Sequence, residues 1–167
     1  MFVVDTNVLV YAADRDAPEY RQCRDLLLAW RRQPGPWYVT WPIFYEFLRV
    51  VTHPRVFRRP WTPKEAWGFV RSVLAARSLQ VLAETERHGA VLGELVRDVP
   101  ELRGNLLHDA HTVALMREHG IHVIYTRDTD FHRFTGLEVR DPLRQESRQE
   151  GRHEGRQERR QEGRSTE

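Results

Sequence analysis

The sequence predicts an α/β fold with a mainly parallel central sheet, on three observations. Short apolar runs such as Val3-Val4 and Val123-Ile124-Tyr125 alternate with longer amphipathic stretches. Strands separated in this way by helices pair in parallel through crossover connections. Asp5 and Asp128 each stand at or just past the end of such a run, where open parallel sheets build ligand sites.

The elements follow in order along the chain. Residues 2–5 read as a strand and 6–13 as a short helix. Pro18 opens a helix over 18–32, with Cys23, Leu26, Leu27 and Trp30 on one side at helical spacing. A second strand fits 37–40. Thr40 then caps a helix over 42–52 that carries Pro42 in its first turn, and His53-Pro54 ends it. Another helix fits 63–76, its Trp67, Val70 and Leu74 falling on one side; core, dimer face and partner groove are all open readings of that stripe. A strand near 79–82 and a helix over 85–97 come next. Residues 105–119 read as a helix stopped by Gly120. A strand at 122–126 and a last short one at 137–139 complete the pattern.

A chain of 167 residues with 40% hydrophobic and 10% aromatic side chains is enough for one domain with a sizeable core. The organised domain is expected to span 1–143. From Arg144 the sequence becomes a four-residue Arg/Gln/Glu/Gly repeat almost without apolar side chains, too polar to offset its ordering entropy. Residues 144–167 are therefore expected to be a disordered appendage. The pI near 9.0 suggests nucleic acid, but 26 basic residues face 24 acidic ones. Seven of the basic and six of the acidic residues lie after position 143, leaving 19 against 18 in the domain, so only local patches can argue for a partner.

One cysteine, Cys23, excludes an intrachain disulfide and reads as a small buried or half-buried hydrophobe. The first residues lack a basic leader, and Asp5 interrupts their apolar run, against a secretory signal. No run approaches the roughly 18 apolar residues of a membrane helix. A cytoplasmic protein is expected.

The chemistry centres on four acids, Asp5, Glu46, Asp109 and Asp128. Asp130 follows Asp128 by two residues as the chain leaves its strand. Each has an ordinary explanation. Asp128 or Asp130 can cap the segment at 131–134, and Glu46 borders an apolar stripe within reach of Arg49 at i+3. Asp109, flanked by Leu106, Leu107, Ala110 and Val113, can favour a helix N-terminus. Together they suggest one anionic pocket. Two carboxylates roughly 4 Å apart repel by about 4 kcal/mol at an effective dielectric near 20, so four need a cation or large pKa shifts. Oxygen-only donors favour Mg²⁺, with Mn²⁺ as the alternative, over Zn²⁺. Such an ion acidifies water into a nucleophile and neutralises a phosphate oxygen.

Other side chains are weaker candidates. His108, His111, His119 and His122 lack the i,i+4 spacing of a helical zinc pair, and His108 and His111 read better as pocket rim or helix caps. Arg55, Arg58, Arg59, Arg127 and Arg133 could guide phosphates. Trp37, Trp41, Trp61 and Trp67 could stack bases, although core or interface positions are the commoner use. No glycine-rich turn follows the first strand, which argues against a dinucleotide fold. Lys64, the only lysine, opens a helix, which argues against a receiver-like phosphoacceptor domain.

The segments VVDTNVLVYA at 3–12, WPIFYEFLRVVTHPRVF at 41–57, HDAHTVALMREHGI at 108–121 and IYTRDTDFHRF at 124–134 run in the order of PIN-domain proteins. They resemble in particular the VapC-type ribonuclease toxins. The resemblance implies a three-layer α/β/α domain whose acids bind Mg²⁺ and hydrolyse RNA, leaving 5′-phosphate and 3′-hydroxyl ends. It implies Asp5 and Asp109 as principal metal ligands and Asp128 as completing the site. Glu46 would act through water or orient the nucleophile, with Asp130 as a supplementary acid. Thr6, Asn7 and Thr126 would position carboxylates or water. A homodimer and a small cognate antitoxin are the implied partners besides RNA. A catalytically inactive PIN-like module that only binds RNA or a partner is the alternative. The repeat at 144–167 has no counterpart in the resemblance.

Overall fold

The computed structural model describes residues 1–144 of the chain. Apart from Arg144, the expectation for 144–167 falls outside the described residues. Five strands, β1 (Val3–Val4), β2 (Trp37–Thr40), β3 (Leu79–Leu82), β4 (Val123–Tyr125) and β5 (Glu138–Arg140), form one sheet. Its order is β3-β2-β1-β4-β5, and every pair is parallel. Six α-helices lie between them: α1 (Thr6–Ala13), α2 (Tyr20–Trp30), α3 (Trp41–Val51), α4 (Pro63–Leu74), α5 (His88–Asp98) and α6 (Leu106–Glu118). A 3-10 turn, η1 (Thr129–Arg133), joins β4 to β5.

The strand order fixes the layers and the site. From β1 the chain steps outward to β2 and then β3, and right-handed crossovers place α1–α4 on one face. It then returns past β1 to β4, which reverses the direction and puts α5 and α6 on the other face. The packing agrees: α1 contacts α2 and α3, α3 contacts α4, and α5 contacts α6. The result is a three-layer α/β/α domain. The reversal leaves a crevice beyond the carboxyl ends of β1 and β4, where ligands bind in such sheets.

Burial follows from this arrangement. β1 and β2 are covered on both faces and are wholly buried, while the edge strands β3 and β5 are partly exposed. Trp37, Phe44, Phe47, Phe131 and Phe134 fill the largest core positions. Cys23 is fully buried, and its burial pushes the thiol up to about 11. Among the described residues, no helix is long and apolar enough to cross a membrane.

Local signals account for most boundaries. Thr40 accepts from the Ile43 amide at 3.3 Å and caps α3. Gly120, at φ +64°, ends α6 in a conformation that glycine adopts without a Cβ clash. Three expectations shift. Pro18 lies in the turn before α2, which starts at Tyr20. The fifth helix starts at His88, not at 85, because the Thr85 amide and hydroxyl both donate to Glu118 at 2.7 and 2.6 Å. On α4, Ala66, Val70 and Val73 take the core, leaving Trp67 43% exposed.

Candidate active site

Asp5 belongs to two elements. Its amide donates to the Tyr125 carbonyl of β4 at 3.1 Å, and its carboxylate accepts from the Thr6 amide at 2.6 Å as the N-cap of α1. The second carboxylate oxygen accepts from Asn7 Nδ2 and Thr126 Oγ1, each at 2.6 Å. Three of its roughly four acceptor positions are thus used to hold it, and one on Oδ1 is left to a ligand.

Thr126, fully buried, ties the crevice together. Its hydroxyl donates to Asp5 and accepts from Asn7 Nδ2 at 2.8 Å and from the Asp128 amide at 2.9 Å. Asn7 Oδ1 in turn accepts from the Arg127 amide at 3.3 Å. The ends of β1 and β4 are therefore locked side by side through side chains as well as through the sheet.

Asp128 caps η1 by accepting from the Asp130 amide at 2.9 Å. Phe131 and Phe134, nearly fully buried, anchor that turn in the core. Asp109 lies in the first turn of α6, where Leu106, Ala110 and Val113 are buried beside it while Leu107 is 47% exposed. Oxygens of Asp109, Asp128 and Asp130 all come within 4.8 Å of one another, the one group among the described residues with the spacing to hold a metal ion. Asp130 also accepts from Arg133 Nε at 2.9 Å.

The field at this crevice is strongly negative. Burial, partly offset by the hydrogen bonds from Thr126 and Thr6, pushes Asp5 up to about 6, and the charges of Glu46 and Asp128 add to the rise. Asp109 is pushed up to about 7, by burial first and then by Asp128, Asp5, Asp130 and Glu46. Five acids from four segments therefore feel one another here. Oxygen donors at this spacing suit a hard divalent cation.

Glu46 reaches the site from α3. Its Oε2 accepts from Thr6 Oγ1 at 3.0 Å, and its Oε1 pairs with Arg49 at 3.3 Å. The side chain is 48% exposed, so it lies at the water-facing rim. The geometry thus brings together all the acids expected from the sequence, with Thr6, Asn7 and Thr126 between them. It sets Asp130 beside Asp109 and Asp128, and Asp5 lies close enough for its charge to be felt by Asp109.

Two of the histidines singled out from the sequence are engaged by other groups. His111 pairs with Glu84 at 3.0 Å, and His119 bonds the Ala83 carbonyl at 2.9 Å. His88, which sequence reasoning passed over, pairs at 2.5 Å with a Glu118 whose side chain is fully covered. Sequence reasoning also missed Leu26, Val139, Arg140 and Pro142, which line a cavity beside Asp128. Three separated segments supply that cavity, and no local pattern marks it. Of the tryptophans, Trp37 is buried, whereas Trp41 is 43% exposed at the start of α3.

The PIN-domain family matches residues 2–137. Ribonuclease VapC48 of Mycobacterium tuberculosis is 37% identical over 138 residues, which cover 83% of this chain and 94% of that protein. Among solved structures, the sarcin-ricin loop cleaving toxin VapC20 of Mycobacterium tuberculosis superposes with a TM-score of 0.57 at 20% identity, covering 79% of this chain and 93% of that one. A toxin–antitoxin complex from Klebsiella pneumoniae gives 0.55 at 18% identity, covering 87% and 100%. The extent of these matches, on a fold whose acids meet at the β1–β4 crevice, shows that the chain belongs to the PIN-domain family as a VapC-type member.

Proposed function

We propose that this protein is an endoribonuclease that requires a divalent ion, Mg²⁺ with Mn²⁺ as the alternative, and is the toxin of a toxin–antitoxin pair. The observation that carries the reading is the convergence of Asp109, Asp128 and Asp130 within 4.8 Å, coupled electrostatically to a clamped, buried Asp5. Carboxylates gathered this closely repel one another, a cost that a divalent cation relieves, and a bound divalent ion can drive phosphodiester hydrolysis.

The donor set fits the ion. Asp109 and Asp128 would hold it with Asp5, whose Oδ1 keeps one acceptor position, and Asp130 would assist. A divalent ion bound there neutralises charge on the phosphate and acidifies water. The chain supplies orientation. Thr126 and Asn7 fix Asp5, and the cap on η1 fixes Asp128. Glu46, held by Thr6 and Arg49 at the rim, would orient the water that attacks in line. Positioning and charge neutralisation then supply most of the acceleration.

The named ribonuclease relative supports RNA as substrate, and the toxin–antitoxin complex supports a small protein partner. A homodimer and a cytoplasmic location belong to the same reading. RNA cleavage with Mg²⁺, with EDTA and by the Asp5→Ala variant tests it. Cleavage is expected in the first condition alone; undiminished cleavage by Asp5→Ala would sink the assignment.

A further inference from the structure

A cavity of about 540 Å³ opens beyond the carboxyl ends of β4 and β5, with Thr126, Arg127 and Asp128 in its wall. It therefore continues directly from the candidate acid site. We propose that it seats one nucleotide of the RNA strand next to the scissile phosphate, with a phosphate against Arg127 and Arg140 and the base against Leu26 and Val139. The inference rests on the ribonuclease reading and deepens it.

Charge is the first argument. The acid cluster repels an RNA backbone, so a bound strand needs cationic groups on the side where it leaves the site. The cavity offers them: Arg127, Arg140 and Arg144 line it against Asp128 and Asp141. The two central arginines are also held in place. Arg127 pairs with Glu19 at 2.7 Å and lies over the Tyr11 ring at 5.8 Å. Arg140 pairs with Glu138 at 2.8 Å and lies over Tyr125 at 5.9 Å. Guanidinium groups fixed in this way lose less freedom when a phosphate arrives.

Shape is the second argument. Leu26 and Val139 are half-buried, and with Pro142 they add apolar lining to a cavity that also carries charges. A nucleotide likewise combines a flat apolar base with an anionic group. The volume lies within the roughly 300–1,000 Å³ of small-molecule sites.

The other large cleft has a different explanation. Arg31, Arg32 and Arg77 line it where α2 and α4 end, so those cations complement helix carbonyl ends. It also lies at the amino ends of β2 and β3, away from the acids.

The test is a titration of the metal-free full-length protein in EDTA with each of the four ribonucleoside 5′-monophosphates, and with inorganic phosphate for comparison. The readout is the methyl NMR resonances of Leu26 and Val139. Saturable shifts at both are expected with nucleotides, with binding at least fivefold weaker for inorganic phosphate. Arg140→Gln should weaken nucleotide binding at least fivefold, and Val139→Phe, which fills the cavity, should abolish the Leu26 shift. Spectral dispersion checks that both variants fold. Asp109→Asn should retain the shifts while losing RNA cleavage. The proposal is overturned by absent shifts, by an unchanged response in Arg140→Gln, or by inorganic phosphate matching the nucleotides. Shifts evoked only by an antitoxin protein overturn it as well. RNA cleavage without nucleotide shifts removes the cavity proposal and keeps the ribonuclease; nucleotide shifts without cleavage do the reverse.

Discussion

Thr126 Oγ1 donates to Asp5 Oδ2 at 2.6 Å, joining residues 121 positions apart. The same oxygen accepts from Asn7 and from the Asp128 amide, so one buried hydroxyl sets two acids. Thr126→Val keeps the shape and removes all three bonds. Leaving Asn7 and the Asp128 amide without their acceptor costs about 1–3 kcal/mol, read as a lower midpoint in urea. Cleavage should fall more than binding of RNA, and Thr126→Ser should restore most of both. A Thr126→Val protein of unchanged stability would show that the network is not holding the site.

Asp109→Asn should separate activity from stability. Asp109 is pushed up to about 7 by burial first and by four neighbouring acids after it, so its charge is unfavourable in the metal-free fold. The amide removes that repulsion, and a gain of about 1 kcal/mol at pH 8 in EDTA is expected after allowing for solvent screening. Cleavage with Mg²⁺ should drop at least about a hundredfold. A variant that loses both stability and activity would make Asp109 a structural residue.

Metal-free stability should fall as pH rises from 5 to 8. Asp5 and Asp109 titrate near 6 and 7 in the fold, against 3.8 when free. In that window the folded chain keeps protons that the unfolded chain has released, so their contribution is full below pH 4 and lost through pH 6 to 7. Glu84 and Glu118, lowered in the fold, act in the opposite sense at more acidic pH, outside the measured range. Asp5 alone is worth about 2–3 kcal/mol, or several degrees in Tm. Millimolar Mg²⁺ should restore Tm at pH 8 and do little at pH 5. A Tm in EDTA that stays level across this range would refute the charge balance drawn here.

The sequence carried the fold where signals are local. The signals for the five strands, the Thr40 cap and the Gly120 stop lie within a few residues of what they specify, and each element appears within a residue or two of where the pattern placed it. Signals failed where a distant residue decides. The start of α5 depends on Glu118, 33 positions from Thr85, and the cavity on α2, β4, β5 and the segment after β5. The acids were legible as awkward charges and as motif pieces. Their spatial grouping was not, since the fold of η1 against α6 decides that Asp130 sits beside Asp109 and Asp128.

Glu46 offers the sharpest contrast between what a surface pair and a catalytic rim residue should do. Its pairing with Arg49 is exposed on both sides, 65% and 48%, and such pairs contribute about 0–1 kcal/mol. Glu46→Gln keeps an oxygen for Thr6 Oγ1 and removes the charge. If Glu46 orients the attacking water, kcat should fall about tenfold to a hundredfold with KM for RNA nearly unchanged, and Tm should move by less than about 2 °C. Arg49→Ala removes the same ion pair from its other end. It should leave kcat within about threefold, because Thr6 still holds the carboxylate at 3.0 Å. Equal losses in the two variants would assign the effect to the ion pair and take Glu46 out of the chemistry.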